Sequence, residues 1–195
     1  MLAAGLHDVP PGHLATVVTY LEMTAPAPQS GAPLPPGLTF APLDADLPAY
    51  RALFRRIGED WLWQSRLAMP DAELAEIMGH PAVTLHTLLS DGQPEALLEL
   101  DFREDGACEL AFFGLSPALI GRGAGRFLID RAIELAWARD IALFHVHTCT
   151  LDSPAALSFY RRAGFEPVRQ QVEIMPDPRR TGLLPPTAAP GVPIL

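Results

Sequence analysis

The chain of 195 residues contains no lysine and no asparagine. A P-loop needs a lysine directly after its glycines, so this class of nucleotide-binding site is excluded. Both missing residues have A-rich codons, and their joint absence indicates a GC-rich genome.

Cysteines and long apolar runs are also scarce. The two cysteines, Cys108 and Cys149, are too few for a disulfide framework, so we expect free thiols in a reducing compartment. The N-terminus has neither a basic region nor an apolar run long enough for a signal peptide or a membrane span. We therefore expect a cytoplasmic protein without a membrane partner.

Positive charge is in deficit, with 14 arginines against 23 aspartates and glutamates and a formal net charge of −9. This balance argues against a nucleic-acid partner, which would require a basic face. It is compatible with a cationic substrate such as an amine. With 49% hydrophobic residues, the composition is that of a globular protein able to bury a core.

The chain predicts one domain with an extension at each end. Residues 1–36 form the N-terminal extension, in which residues 14–23 are rich in β-formers and could add a strand at a sheet edge. Residues 25–36 are a proline-rich linker that we expect to be an extended spacer. Residues 37–176 form the domain, and residues 177–195 a poorly structured proline-rich tail. The extension could dock on its own domain or on a second subunit, which leaves a homodimer open.

Apolar periodicity predicts the elements of the domain. Strands are expected at residues 38–42, 83–89, 95–102, 108–116, 142–149 and 168–175, and helices at residues 46–57, 70–78, 126–139 and up to residue 165. Strands interspersed with helices predict an α/β protein.

A glycine-rich turn separates a strand from a helix in the middle of the chain. Gly121, Gly123 and Gly125 allow several backbone N–H groups to converge on one anion, and the helix that follows adds the positive end of its dipole. Arg122 and Arg126 add full charges. A dinucleotide fingerprint is excluded, because Arg126 stands where its third glycine is needed. The turn predicts a phosphate-binding site, although a plain tight connection is the simpler alternative.

Two motifs resemble those of the GNAT superfamily of acyl-CoA-dependent N-acetyltransferases. The turn, residues 120–125, is similar to [Gln/Arg]-x-x-Gly-x-[Gly/Ala], with Ile120 in place of the first residue. Residues 153–165 resemble the family's Asn-x-x-Ala…Tyr…Gly-Phe segment, with Ser153 in place of asparagine. Leu115-Ser116-Pro117 is similar to the Val-x-Pro that ends the central strand. The resemblance covers residues 83–175.

The resemblance implies the GNAT fold, a mixed and mostly antiparallel sheet splayed between residues 109–116 and 142–149, with helices on both faces. Acetyl-CoA would be the co-substrate and would enter the splay; no metal is expected. Its pantetheine would bind the backbone of Phe113, Gly114 and Leu115. Its pyrophosphate would bind Gly121, Arg122, Gly123, Ala124, Gly125 and Arg126.

The resemblance also assigns catalytic roles. Tyr160 lies where the family keeps the tyrosine that protonates the departing CoA thiolate, and a phenol holds its proton at neutral pH. Glu109, eleven residues before Ile120, lies where some members carry a glutamate base. Strand alternation predicts that Glu109, Ala111, Phe113 and Leu115 share a face unless a bulge intervenes. Apolar neighbours of Glu109 are expected to raise its pKa. Glu99 and His147 are the reserve candidates for the base.

The acceptor site has weaker signals. Trp61 and Trp63 lie in the helical region that walls the acceptor site in this family, although packing in a core is the commoner role of tryptophan. Glu99 and His147 are further candidates for substrate contact. His145, His147 and Cys149 alternate along one strand, but no fourth zinc ligand is evident, and hydrogen-bonded structure is the simpler reading.

The predicted function is direct transfer of an acetyl group from acetyl-CoA to a primary amine. The alternative is a non-catalytic acyl-CoA-binding sensor or interaction module on the same fold.

Overall fold

One mixed β-sheet with helices on both faces organises the computed structural model, which describes residues 3–44 and 46–195. The strands are β1 (His13–Met23), β2 (Leu38–Pro42), β3 (Val83–Ser90), β4 (Gln93–Pro94), β5 (Ala96–Asp101), β6 (Ala107–Leu115), β7 (Leu143–Cys149) and β8 (Glu166–Pro176). The helices are α1 (Leu47–Gly58), α2 (Ser65–Ala68), α3 (Asp71–Met78), α4 (Ala124–Trp137) and α5 (Ala156–Arg162). Each helix in these ranges is too short or too polar to span a bilayer.

The strands follow the order β2-β3-β5-β6-β7-β1-β8, with the short β4 paired to β3. Only β6 and β7 run parallel, and they pair over just three positions, the last of which joins Glu109 to His145. Beyond that pair the two strands separate. This confirms the predicted α/β sheet, mostly antiparallel and splayed between its central strands.

A hydrophobic core lies on each face of the sheet. Helices α4 and α5 cover one face, because the apolar side chains of α4 repeat at helical spacing as Leu128, Ile129, Ala132, Ile133 and Ala136. Helix α1 covers the other face with Tyr50, Leu53, Phe54 and Ile57. Helix α1 is capped by Asp46, whose Oδ1 accepts from the Ala49 N–H at 2.9 Å.

Strand β1 lies inside the sheet, between β7 and β8, and pairs antiparallel with both. The predicted position at a sheet edge is therefore wrong. The reason is that Leu21 and Met23 of β1 pack into the core under α4, while β8 takes the edge. The residues before 37 thus contribute an interior strand of the same sheet.

The proline-rich linker is fixed to helix α4 by one carboxylate. Asp130 accepts hydrogen bonds from the Ser30 N–H at 3.1 Å, the Ser30 hydroxyl at 2.7 Å and the Gly31 N–H at 3.0 Å. Asp130 is buried, so these donors satisfy a charge that would otherwise be costly. The linker consequently lies against the helix and is not a free spacer.

The C-terminal tail folds onto the domain, so the expectation of a poorly structured tail is wrong. Its centre is the buried Arg179, which pairs with Asp177 at 2.8 Å and donates to the carbonyl oxygens of Ala188, Ala189 and Val192. The hydrogen bond from the Arg179 side chain lowers the pKa of Asp177. Leu184, Ala188 and Ala189 then pack against Leu14 and Leu62. A single buried guanidinium thereby orders a segment without regular secondary structure.

Candidate active site

A cavity of about 740 Å³ opens where β6 and β7 separate. Its lining comes from both faces of the sheet. The side chains on the α4 and α5 face are Phe113, Leu115, Phe159 and Tyr160 with Gly125, and those on the α1 face are Trp61, Trp63, Phe112 and Met175 with Gly114. A donor bound on one face can therefore meet an acceptor bound on the other.

A β-bulge in β6 determines which side chains of this strand lie on the α1 face of the sheet. Ala111 is skipped in the pairing of β6 with β5, so the alternation reverses at this residue. Glu109 shares its face with Gly114, whereas Phe113 and Leu115 pack toward α4. The predicted common face of Glu109, Ala111, Phe113 and Leu115 is wrong for this reason. Glu109 therefore lies on the α1 side of the cavity, on the same face as Gly114.

Glu109 and His147 form a pair on the cavity wall, with Glu109 Oε1 3.4 Å from His147 Nδ1. The contact with His147 lowers the pKa of Glu109 below its ordinary value, and the same contact raises the pKa of His147. The expectation that apolar neighbours raise the pKa of Glu109 is wrong, because the imidazole outweighs the desolvation. Glu109 is therefore ionised near neutral pH, and His147 is the more basic member of the pair.

The ring of Tyr160 packs among aromatic side chains, and its hydroxyl has no hydrogen-bond partner among the described residues. Its ring contacts Phe113, Phe159 and Phe165 edge-on, with centroids 5.6 to 6.2 Å apart. Its hydroxyl makes no hydrogen bond to any of the described residues, and Tyr160 lines the cavity. Burial raises the pKa of this phenol, so it keeps its proton at neutral pH. The geometry is that of a fixed proton donor.

The glycine turn presents unpaired backbone N–H groups next to the cavity. Gly121 and Gly123 take φ values of 78° and 81°, which strongly favour glycine. Among the residues that the structure describes, no acceptor meets the N–H groups of Gly121, Gly123, Ala124 and Gly125. Helix α4 begins at Ala124, two residues before the predicted start, because Gly123 already caps it.

Charge accompanies these N–H groups. Arg122 and Arg126 are exposed, and neither forms an ion pair within residues 3–44 and 46–195. Ile120 is 65% exposed beside them, at the first position of the motif. A turn of this kind can bind a pyrophosphate through backbone N–H groups with two free guanidinium groups nearby.

The half of the cavity on the α1 face is walled by tryptophan. Trp63 packs on Phe54 and Phe112 at centroid distances of 5.2 and 5.4 Å and also lines the cavity. Trp61 lines the cavity as well. One side of the Trp63 indole therefore packs in the core, and the other faces the cavity.

Asp152 is a cavity residue that the sequence analysis did not identify. Its Oδ1 accepts from Trp63 Nε1 at 3.1 Å, and its Oδ2 accepts from the Thr148 hydroxyl at 2.7 Å and the Cys149 N–H at 2.8 Å. The carboxylate thus fixes the indole relative to the end of β7. Its only sequence signal is its place directly before Ser153, which opens the second motif.

Glu99 does not line the cavity, so its assignment to substrate contact is not supported. It is 1% exposed and accepts from the Tyr50 hydroxyl at 2.6 Å while forming an ion pair with Arg66. Arg66, the ion-pair partner of Glu99, lines the cavity. The reason is that Glu99 is held on the α1 face of β5, one strand away from the splay.

His145 and Cys149 share the face of His147 on β7. His145 Nε2 lies 3.8 Å from Glu104 Oε2, and burial raises the pKa of the Cys149 thiol. Within residues 3–44 and 46–195, no group of three or more His, Cys, Asp or Glu side chains is arranged to hold a metal ion.

A sheet opened between two parallel strands, with helices on both faces, defines the GNAT class of α/β fold. Residues 50–165 match the acetyltransferase (GNAT) family model, which is 116 of the 195 residues. The chain belongs to this family. A search of curated proteins found no match.

Three solved structures illustrate the likeness of fold. A GNAT-family acetyltransferase from Novosphingobium aromaticivorans is 19% identical with a TM-score of 0.59, over 85% of this chain and 67% of that one. A GCN5-related N-acetyltransferase from Sphaerobacter thermophilus is 15% identical with a TM-score of 0.63, over 84% and 53%. The PaiA N-acetyltransferase from Thermoplasma acidophilum, in complex with coenzyme A, is 14% identical with a TM-score of 0.50, over 66% and 90%. The chain therefore spans between about half and two thirds of the first two proteins.

Proposed function

We propose that the protein is an N-acetyltransferase that moves an acetyl group from acetyl-CoA to a primary amine by direct attack. The observation that carries the proposal is a single cavity that contains both a phenol with no hydrogen-bond partner among the described residues and a carboxylate–imidazole pair. Tyr160 approaches it from one face of the sheet, and Glu109 and His147 from the other. Family membership supports the acyl donor, because members use acetyl-CoA.

Acetyl-CoA binds along the α4 face in this proposal. The pyrophosphate accepts hydrogen bonds from the free N–H groups of Gly121, Gly123, Ala124 and Gly125, and Arg122 and Arg126 neutralise part of its charge. The pantetheine follows the backbone of Phe113, Gly114 and Leu115, which is open to the cavity because β7 has separated from β6. The thioester then lies near the Tyr160 hydroxyl.

The chemistry needs one base and one acid. The protonated amine gives a proton to His147, whose imidazole Glu109 orients and makes more basic, and the neutral nitrogen then attacks the thioester carbon. Backbone N–H groups of β6 can stabilise the oxyanion of the tetrahedral intermediate. When the C–S bond breaks, Tyr160 gives its proton to the thiolate, and the second proton that leaves the nitrogen restores the phenol.

We assign the half of the cavity on the α1 face to the acceptor. This acceptor half favours an amine that carries an apolar group. Trp61, Trp63 and Met175 supply apolar surface, while Asp152 and Glu173 supply carboxylates on the same wall. Apolar surface with a few placed charges is the usual composition of a small-molecule site. We therefore propose an arylalkylamine or a similar small apolar amine as the acceptor.

A panel of amines tests the proposed function. The intact protein is incubated with acetyl-CoA and matched amines that differ in apolar area, such as phenethylamine and ethanolamine, while the release of free CoA thiol is followed. Faster release with the apolar member is expected. Binding of acetyl-CoA without thiol release for any amine would instead support the non-catalytic sensor.

The donor site predicts the effect of Gly123→Val. Valine is strained at a φ of 81° and its side chain would occupy the open space above the turn, so the affinity for CoA should fall at least tenfold, about 1.4 kcal/mol. Titration calorimetry with CoA measures this. Gly92→Val is the matched control, because Gly92 has a φ of 77° and equally open surroundings in a hairpin away from the cavity. Equal affinities for both variants would contradict the assignment.

A further inference from the structure

Strand β8 is an exposed edge of the sheet. It pairs with β1 on one side only, and every residue from 166 to 174 is exposed. An edge strand carries a row of unpaired N–H and C=O groups that can pair with another strand. A bulge at Val168, together with Pro167 and Pro176, which have no N–H to donate, limits strand pairing at the two ends of β8. The stretch 169–175 between them is regular.

The side chains of β8 are complementary to those of a second copy. A two-fold axis perpendicular to the sheet joins two copies of a strand antiparallel and places side chains of the same face opposite each other. Gln171 is the middle residue of β8. With the axis at Gln171, Arg169 lies opposite the partner's Glu173, and the same ion pair forms a second time by symmetry.

Neighbouring registers lack this match. An axis at residue 170 places Arg169 opposite Gln171, and an axis at residue 172 places Gln171 opposite Glu173. Opposite charges directly across two strands favour a pairing, and like charges oppose it. The charge pattern of the strand therefore selects the register centred on Gln171.

Apolar side chains on the other face follow the same register. Val172 and Ile174 are 50% and 49% exposed, and the neighbouring Val17 of β1 is 36% exposed. In this pairing Val172 lies diagonally across from the partner's Val172 on the same face, so apolar side chains of both copies adjoin. Burial of such surface stabilises an association that the ion pairs alone would not.

We propose that two copies of this chain associate through antiparallel pairing of their β8 strands about Gln171, which continues the sheet across both copies. Glu173 lines the acceptor half of the cavity. The pairing therefore places the partner's Arg169 at the rim of each cavity. Each copy contributes a guanidinium group to the surroundings of the other's site.

Charge reversal tests the register. The full-length protein is examined by sedimentation velocity over a range of concentrations, together with Arg169→Glu, Glu173→Arg and the double variant. The wild type should be a dimer. Each single variant places like charges opposite each other and should weaken the dimer at least tenfold, whereas the double variant restores the ion pairs in reverse and should dimerise as the wild type does. Arg55→Glu, an exposed charge reversal on α1, is the control and should remain dimeric.

A cysteine on the two-fold axis gives a second test that does not depend on charge. Gln171→Cys meets its own copy only in this register, so oxidised glutathione should accept the electrons of the two thiols and leave a disulfide between the copies. Non-reducing electrophoresis measures the linked dimer. Glu166→Cys and the wild type should not link, because residue 166 lies opposite residue 176. A wild type that is monomeric at every concentration would overturn the proposal, as would single variants that dimerise normally or a Gln171→Cys that does not link.

Discussion

Replacing Tyr160 by phenylalanine is expected to lower turnover about 10²-fold while the affinity for acetyl-CoA stays nearly unchanged. The variant keeps the ring that packs against Phe113, Phe159 and Phe165, and it removes only the hydroxyl. That hydroxyl has no hydrogen-bond partner among the described residues, so its loss leaves no buried group unsatisfied. The expected defect therefore lies in protonation of the departing thiolate.

Steady-state thiol release and calorimetry with acetyl-CoA together measure this effect. Tyr50→Phe is the matched control. The Tyr50 hydroxyl donates to Glu99 at 2.6 Å in the core beneath α1, and Tyr50 does not line the cavity. The control should lose stability and keep most of its turnover. Should Tyr160→Phe turn over as fast as Tyr50→Phe, Tyr160 would be a packing residue and the thiolate would take its proton from water.

Local spacing explains why the conformation of the glycine turn and the position of Tyr160 could be predicted. The glycine turn and Tyr160 belong to segments in which positive φ values, a helix start and a helix face are encoded within a few residues. The structure accordingly has Gly121 and Gly123 in the left-handed region and places Tyr160 on the cavity wall. Acyl-CoA binding at these residues is still a proposal, and the Gly123→Val experiment tests it.

Long-range pairing explains what could not be predicted. The sequence indicates a strand at β1, but its place between β7 and β8 depends on long-range strand pairing that the local pattern does not encode. The bulge at Ala111 leaves no trace in the apolar pattern and yet reverses the face of every later residue in β6. Likewise, the order of the tail depends on one buried residue, Arg179, that binds carbonyl groups 9 to 13 residues further along the chain.

The same limit applies to the pKa of Glu109. Its neighbours in sequence are apolar and predict a raised value, whereas His147 on the adjacent parallel strand lowers it. Only the register of β6 against β7 brings the two side chains together. The direction of a pKa shift thus depends on the partner across the strands more than on the residues beside it.

Replacing Glu109 by glutamine is expected to lower kcat/KM by about tenfold to 10²-fold and to move the acidic limb of its pH profile to lower pH. Activity is lost as the pH falls through the pKa of His147, because a protonated imidazole cannot accept the proton of the amine. Glu109 raises that pKa, so removing its charge lowers the pKa, and the neutral imidazole persists to lower pH. The imidazole is then also a weaker base and less well oriented, which reduces the plateau value of kcat/KM above the acidic limb.

The measurement is kcat/KM for one amine at saturating acetyl-CoA across the pH range, since the ionisation of the amine is then common to all variants. His145→Gln is the control, because His145 shares the face of His147 but its Nε2 lies 3.8 Å from Glu104 Oε2. Its limb should coincide with that of the wild type. If the limb vanishes in Glu109→Gln instead of moving, Glu109 itself is the base and His147 only orients it. If neither the plateau nor the limb changes, the amine reaches the thioester already neutral, and the pair has no part in the reaction.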